Sequence, residues 1–263
     1  METAVADIID NSISAAANNI HINIGFNEKK NDFFLEITDD GFGMNKLEIL
    51  KAMILGSKNP KDQRASDDLG RFGLGLKTAS YSQCRRLTVE SFSKENKEKN
   101  SYTQDLDKLA ETRKWGGDRN KTPIINVGTR IIWEKLDRLE INLKDLNNDP
   151  QKPRTIQIKI GEIAARIQKH ISLIFHRFID DKNVEKNIRK IQIFLNKTKI
   201  KPFNPFNESN NATFISPITQ VDKSTKLRYY ILPHRDKCEG KEYEDYAGEE
   251  GYFENQGFYV YRN

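Results

Sequence analysis

Two kinds of hydrophobic spacing alternate along the first half of the chain. Within residues 2–19 the apolar positions recur at the period of one helix face, at Val5, Ile8, Ile9, Ile13, Ala16 and Ala17. HINIGF (21–26) and FFLEIT (33–38) favour a strand hairpin around the turn-rich NEKKND. KLEILKAMIL (46–55) favours a second helix, and after the polar loop 56–69 a third helix is predicted to begin near Gly75.

Strand-like patterns follow, and the composition then changes. Strands are predicted at RLTVESFS (86–93), SYTQDL (101–106) and GTRIIWEKL (128–136). NLKDLNNDPQKP (142–153) is rich in Asn, Asp and Pro, which indicates a domain boundary. We therefore expect an α+β chain with domains at 1–141 and 154–263.

The second predicted domain begins with IGEIAARIQKHISLIFHRFI (160–179), which favours a long amphipathic helix. Further strands are predicted at IRKIQIFLN (188–196) and GFYVYRN (257–263). Because the sequence begins within one predicted helix and stops within a predicted strand, it is compatible with a piece of a longer protein.

Composition limits the class of protein but does not identify it. Of the 263 residues, 31% are charged and 37% hydrophobic, which is typical of a very polar globular protein. The net charge of +5 permits contact with nucleic acid without requiring it. Two cysteines, Cys84 and Cys238, are too few for a disulfide framework, so a reducing cytoplasm is expected. No apolar run approaches 18 residues, and no signal peptide or membrane span is expected.

The stretch DLGRFGLGLKTAS (68–80) has the glycines and the lysine of a phosphate site but matches neither common phosphate motif. Leu76 separates Gly75 from Lys77, so the P-loop spacing fails by one residue. The glycine order also differs from the dinucleotide fingerprint, and the preceding residues are polar where both motifs need an apolar strand. The main-chain amides at this helix start would nevertheless form an anion site, unless the stretch is only a flexible loop.

Two other stretches allow both a structural and a functional interpretation. Asp7, Asn11, Ser14 and Asn18 share the polar side of the first helix, either as a solvent-facing edge or as part of a site. In a site, the amide oxygen of Asn11 could bind a hard cation and the Asp7 carboxylate could orient a water. ITDDGFGM (37–44) is typical of a hairpin turn. Alternatively, an aspartate in this stretch could accept hydrogen bonds from the amino group of a purine.

The order and spacing of these stretches resemble the GHKL ATPase family. This family includes DNA gyrase B subunits, heat-shock chaperones of the ninety-kilodalton class, histidine kinases, MutL-type proteins and MORC proteins. The similarity spans roughly residues 2–140 and is carried by ADIIDNSISAA, DDGFGM, LGRFGLGLKTAS and GTRIIWEKL. Within the family, these stretches most resemble those of MORC-like and MutL-like members. It implies a Bergerat-fold α/β sandwich, in which helices cover one face of a mixed, mainly antiparallel sheet. A smaller α/β transducer-like domain would follow.

The resemblance also implies roles for individual residues in binding ATP and Mg²⁺. Asn11 would coordinate magnesium, Asp7 would be catalytic, and Asp39 would bind the adenine amino group with support from Thr129 through a water. The adenine pocket would be lined by Gly41, Gly43 and Met44, and residues 56–69 would form a lid. The triphosphate would be wrapped by Gly70, Arg71, Phe72, Gly73, Leu74, Gly75, Leu76 and Lys77.

Two departures from the family pattern qualify these expectations. Hydrolytic members usually carry glutamate where this chain has Asp7, which affects the expected hydrolysis rate. They often carry aspartate where this chain has Ser14, which affects one water-mediated adenine contact.

His170 and His176 lack the spacing of a metal site, and His234 with Cys238 would form only half a zinc site.

The sequence therefore favours a magnesium-dependent ATPase that acts as a slow conformational switch. By resemblance, it would form a nucleotide-dependent homodimer and act in a DNA-associated system, in the cytoplasm or, in a eukaryote, in the nucleus. The alternative is an ATP-binding scaffold with negligible hydrolysis. A histidine kinase is disfavoured because no phosphoacceptor helix precedes the first motif in this sequence.

Overall fold

The structure is a computed structural model that describes residues 1–53, 75–114, 116–119, 123–139, 141, 143–147, 149–180, 189–247, 251–253 and 255–261. Its helices are α1 (Glu2–Ser14), α2 (Lys46–Met53), α3 (Gly75–Tyr81), α4 (Leu106–Thr112), α5 (Leu143–Asn147), α6 (Lys152–Ile174), α7 (His176–Ile179) and α8 (Glu242–Ala247). Short 3₁₀ helices lie at Arg235–Lys237 and Gly251–Phe253.

The main sheet has seven strands in the described part of the chain. In chain order they are β1 (Asn19–Asn27), β2 (Asp32–Asp39), β3 (Cys84–Ser93), β4 (Glu98–Asp105), β5 (Gly128–Leu136), β6 (Gln192–Leu195) and β7 (Thr198–Lys199). Their order across the sheet is β4-β3-β5-β2-β1-β6-β7. The described neighbours pair antiparallel, except that β6 runs parallel to β1. This mixed, mainly antiparallel sheet confirms the predicted fold class.

The strand register separates an apolar face of the sheet from a polar one. Across four strands, Ile22, Ile37, Ile131 and Val89 lie side by side and are all buried. The next row contains His21, Thr38, Arg130 and Glu90. On this polar face the Arg130 guanidinium donates hydrogen bonds to the carboxylates of Glu90 and Glu36. Side chains alternate between the two faces of a strand, and the apolar stripes of α1 and α6 join the apolar residues of the sheet in one core.

Helix α1 ends earlier than its hydrophobic pattern predicts. Ala16 adopts a left-handed conformation with φ of 58°, and the amide of Ala17 donates back to the Ser12 carbonyl. The main chain therefore turns into β1 at residues 18 and 19, where the Asp40 carboxylate accepts both amides. Asn18, the last member of the predicted polar stripe, lies outside the helix.

Two compact units make up the chain, Met1–Lys201 and Pro202–Asn263. The first unit continues beyond the predicted boundary at 142–153, because α6 packs against α1 and β6 pairs with β1. The second unit contains the two-stranded pairs β8 (Phe214–Ile215) with β11 (Tyr230–Ile231), and β9 (Thr219–Gln220) with β10 (Lys226–Leu227). The functional division into an ATP-binding domain at 1–141 and a transducer-like domain at 154–263 stays a prediction.

Two local expectations differ from the structure. Residues 257–261 of the predicted last strand are irregular, and Phe258 and Val260 are largely exposed. A strand needs a neighbour for its amides and carbonyls, and no described strand pairs with this segment.

Helix α4 was not predicted from the sequence. The side chain of Asp105 caps this helix by accepting a hydrogen bond from the Asp107 amide.

Candidate functional site

Asp39 lies at the end of β2 and is held by three hydrogen bonds. Its Oδ1 accepts the main-chain amides of Gly41 at 2.9 Å and Thr129 at 3.1 Å. Its Oδ2 accepts the Ser12 hydroxyl at 2.9 Å. Burial raises the pKa of Asp39, and the three hydrogen bonds oppose this shift because they favour the carboxylate. An ionised carboxylate offers about four acceptor positions, so one remains for a further donor.

Glycines allow the backbone to pass close to this carboxylate. A Cβ on Gly41 would lie 2.6 Å from the Ala15 carbonyl oxygen, at the end of α1. Gly43 and Gly128 both have positive φ, of 72° and 64°. A Cβ on Gly128 would lie 2.0 Å from the Asp39 carbonyl oxygen, so no side chain fits there. Predicted site residues Asp39, Gly41 and Thr129 are thus in direct contact, whereas Gly43 lies against Phe92.

A hydroxyl network extends from Thr129 to Met44. The side-chain oxygens of Thr129 and Ser91 lie 2.9 Å apart, and the Met44 amide donates to the Ser91 hydroxyl at 2.7 Å. Met44 is partly buried against the core. The main-chain amide of Thr129 donates to Asp39 directly, and the expected support through a water stays a prediction.

Ser12 and Ser91 are functional candidates that the sequence did not reveal. Ser12 lies one turn after Ile8 within the apolar stripe of α1 and is only 2% exposed. A buried serine in such a stripe needs a hydrogen-bond partner, and this requirement is the signal that could have indicated it. Ser91 gave no comparable signal, because its importance follows from the packing of β3 beside β5.

Helix α1 carries the predicted catalytic and metal-binding residues. Asp7 and Asn11 are exposed, and the Asn11 side-chain amide donates to the Asp7 carbonyl oxygen at 2.9 Å. This orientation leaves the Asn11 amide oxygen able to coordinate a cation. The guanidinium of Arg189 donates to the carbonyls of Ile13 and Ala17 at 2.8 and 2.9 Å, which fixes the end of the helix.

Two carboxylates on α1 have raised pKa values. Partial desolvation raises the pKa of Asp7, although the residue is exposed. Burial and, to a smaller extent, the negative charge of Asp7 raise the pKa of Asp10 to about 6. Raised carboxylate pKa values are common at acid–base sites, although a partly buried helix residue shows them as well.

The predicted phosphate-binding residues are only partly described. Gly75 begins α3, Leu76 packs against the core, and Lys77 is fully buried, which lowers its pKa. Helix α3 packs against α1, so the predicted phosphate-binding residues adjoin the helix that carries the predicted catalytic and metal-binding residues. The predicted lid 56–69 and residues Gly70, Arg71, Phe72, Gly73 and Leu74 lie outside the described residues.

The residues near Asn11 fit a Mg²⁺ ion that is bound mainly by substrate phosphates and water molecules, with few protein ligands. In the described part of the chain, no group of three or more His, Cys, Asp or Glu residues could hold a metal ion. A single amide oxygen beside an exposed carboxylate suits Mg²⁺, which usually keeps several waters and binds substrate phosphates. We found no helix in the described ranges with the length and apolar character needed to cross a membrane.

Comparison with known proteins identifies the family. A family model described as histidine kinase-, DNA gyrase B- and HSP90-like ATPase matches residues 1–132, half of the chain. The chain belongs to this ATPase family. It is also similar to ATPase morc-1 of Caenorhabditis elegans, with 36% identity over 87 residues. That match covers 33% of this chain and 10% of the relative, so the chain spans a small part of that protein. Family membership supports ATP binding and an ATPase-type activity.

Proposed function

We propose that this chain is a magnesium-dependent ATPase that hydrolyses ATP slowly and acts as a conformational switch. Asp39 carries the proposal, because its buried carboxylate has three of about four acceptor positions filled by fixed donors. The remaining position suits the exocyclic amino group of adenine. Gly41 and Gly128 add support, since their missing side chains leave the backbone close to this carboxylate.

The proposed hydrolytic end lies on α1. Asn11 would hold Mg²⁺ through its amide oxygen, and Mg²⁺ when bound would neutralise charge on the phosphates. Asp7, one turn earlier, would orient the attacking water and accept its proton. Lys77 is proposed to stabilise the phosphate charge, since α3 packs directly on α1.

Replacing Asp39 with asparagine tests adenine recognition without removing the local hydrogen bonds. The amide oxygen of Asp39→Asn can still accept from Gly41 and Thr129. Its amino group can donate to the Ser12 hydroxyl, which can turn to the Ile8 carbonyl oxygen 3.3 Å away. The variant should therefore fold, but it presents a donor to the adenine amino group. We expect a loss of about 1–3 kcal/mol in ATP binding, which is a loss of about 5-fold to 150-fold in affinity.

Calorimetric titration with ATP measures this effect, and Asp40→Asn is the matched control. Asp40 is the next residue and undergoes the same charge change, but its carboxylate binds the amides of Asn18 and Asn19. We expect Asp40→Asn to bind ATP like the wild type. Unchanged ATP affinity in Asp39→Asn would refute the adenine assignment.

An ATP-binding scaffold with negligible hydrolysis is the second candidate. The observation in its favour is Asp7, whose side chain is one methylene shorter than the glutamate of hydrolytic family members. Steady-state phosphate release distinguishes the two, because a scaffold would bind ATP without releasing phosphate above background.

The switch itself is proposed to involve nucleotide-dependent association of two chains in a DNA-associated, MORC-like or MutL-like system. This part rests on the family resemblance and on the similarity to ATPase morc-1. Sedimentation with and without a non-hydrolysable ATP analogue tests it. A tight dimer in the absence of nucleotide would contradict a nucleotide-driven switch.

A further inference from the structure

The core-facing side of the main sheet changes from apolar to polar at one end of three neighbouring strands. In the apolar row across β2, β5 and β3 lie Ile37, Ile131 and Val89. Two positions along each strand from that row, the same face carries Asp39, Thr129 and Ser91. All three polar residues are buried, and Ser91 has no exposed surface. Buried polar side chains must be paired, so the partners of Ser91 show what it holds in place.

The Ser91 hydroxyl has three partners, which together use all of its hydrogen-bonding capacity. It accepts the main-chain amide of Met44 at 2.7 Å and donates to the Gly128 carbonyl oxygen at 3.1 Å. The hydroxyl oxygen of Thr129 lies 2.9 Å away. A hydroxyl group has one proton and two lone pairs. Because its proton goes to Gly128 and one lone pair goes to Met44, the other lone pair accepts the Thr129 hydroxyl.

The peptide group between Gly128 and Thr129 connects this hydroxyl to Asp39. Its carbonyl oxygen accepts from Ser91, and its N–H donates to Asp39 Oδ1 at 3.1 Å. Gly128 has φ of 64°, and glycine restricts the rotation of an adjacent peptide group less than any other residue does. The bond from Ser91 to the carbonyl oxygen therefore opposes a rotation that would turn the N–H away from the carboxylate.

The same hydroxyl also holds the turn between β2 and α2. A Cβ on Gly43 would lie 3.1 Å from Ser91 Oγ, and the next amide, that of Met44, donates to this oxygen. Earlier in the turn, the Gly41 amide donates to Asp39 Oδ1 at 2.9 Å. Ser91 thus joins the two main-chain segments whose amides meet on one carboxylate oxygen.

We propose that Ser91 is a positioning residue for adenine recognition. Its hydroxyl fixes the Gly128–Thr129 peptide group and the turn that contains Met44. Both segments fix the direction of the Asp39 carboxylate, so that its free acceptor position points to one place. This inference rests on the proposed function, because it concerns how the same carboxylate binds the amino group of adenine.

Titration with ATP and with purine riboside triphosphate, which lacks the exocyclic amino group, tests the proposal. We expect Ser91→Ala to weaken ATP binding about five-fold, the usual effect of one hydrogen bond. Purine riboside triphosphate has no amino group to donate to Asp39, so its affinity should fall by no more than about two-fold. A role of Ser91 in folding alone would weaken the binding of both nucleotides equally. Displacement of a fluorescent ATP analogue measures both affinities.

Ser93→Ala is the matched control, because it removes a buried hydroxyl from the same strand. Ser93 is 4% exposed, and its hydroxyl accepts the Asn96 amide at 3.3 Å, in the turn that follows β3. We expect Ser93→Ala to bind both nucleotides like the wild type. Thermal melts confirm that each variant is folded.

Ser91→Cys is a second variant, in which a thiol of similar shape is only a weak donor and acceptor. It should also weaken ATP binding more than the binding of purine riboside triphosphate. Wild-type ATP affinity in Ser91→Ala, or an equal loss for the two nucleotides in both Ser91 variants, would overturn the proposal.

Failure of this inference is distinguishable from failure of the proposed function. If the wild type does not bind ATP, or binds it no better than purine riboside triphosphate, the adenine assignment of Asp39 fails and the inference fails with it. If the wild type prefers ATP and the Ser91 variants keep the whole of that preference, only the role of Ser91 is wrong.

Discussion

Asp39 and Asp7 are the same residue type, and their surroundings give them different chemistry. Asp39 is buried and held by three donors, so its carboxylate is fixed in one orientation as an acceptor. Asp7 is exposed at its helix face and retains the freedom to approach a water. Desolvation raises the pKa of both, but only Asp39 has fixed donors that oppose the shift.

Asp7→Asn should abolish hydrolysis while ATP binding is retained. The amide cannot accept a proton from water, whereas Asn11 and Asp39 are unchanged. For the wild type we expect slow turnover, because a base displaced by about 1 Å can cost on the order of 100-fold in rate. Since partial desolvation raises the pKa of Asp7 above the ordinary value of 3.8, activity should be lost on acidification at a higher pH than for an ordinary aspartate.

Steady-state phosphate release over a pH series measures these effects. Asp7→Glu is the informative control, since the longer side chain should match or exceed the wild-type rate if reach is limiting. Wild-type turnover in Asp7→Asn would remove Asp7 from the mechanism.

At the scale of elements, the turn from β2 to α2 depends on glycine backbone geometry. Its residues pass between the end of α1 and the end of β3, where the Phe42 amide donates to Ala15 and the Lys94 amide donates to Phe42. At Gly43, φ is 72°, and a Cβ would lie 1.8 Å from the Phe92 carbonyl oxygen. The turn therefore cannot accept a side chain without moving β3 or the adenine-side residues.

Gly43→Ala should lower the free energy of unfolding by more than about 1 kcal/mol, since both the positive φ and the contact are unfavourable. ATP affinity should fall as well, because Met44 follows directly. Gly161→Ala is the matched control, since a Cβ there in α6 meets no neighbour and alanine favours the helix by about 0.5–1 kcal/mol. Chemical denaturation of both variants provides the comparison, and equal stability of Gly43→Ala and wild type would contradict this account.

At the scale of the whole molecule, the first compact unit extends beyond the segment that matches the family. The family match ends at residue 132, whereas the core continues through α6 and β6 to Lys201. Ile163, Ile167 and Ile171 are fully buried in the same core as α1. Arg189 also fixes the end of α1, the helix that carries Asp7 and Asn11.

A chain truncated after residue 141 should therefore fail to fold cooperatively, while one that ends at residue 201 should fold. The shorter chain exposes the apolar surface that α6 covers, and each buried isoleucine lost costs about 1.5–3 kcal/mol. Three such residues alone approach the total stability of a typical domain, about 5–15 kcal/mol. Thermal unfolding followed by circular dichroism compares the two chains. A cooperative transition in the shorter chain would show that the ATPase domain ends near residue 141, as its sequence suggests.

The sequence alone determined the features that depend on near neighbours. Apolar spacing predicted α1, β1, β2 and the long helix α6, because each element buries one face and its period is therefore visible in the chain. The order of Asp7, Asn11, Asp39 and the glycine-rich stretch indicated the family. The ends of elements were less accurate, since the left-handed Ala16 that ends α1 leaves no mark in the hydrophobic pattern.

Only the tertiary structure decided which distant residues support the site. Ser12 and Thr129 meet on the Asp39 carboxylate from α1 and β5, and Arg189 reaches α1 from a segment far along the chain. The parallel pairing of β6 with β1 likewise assigns residues beyond 142–153 to the first unit. These contacts depend on how the sheet and helices pack in three dimensions, and local periodicity contains no information about partners so far apart in sequence.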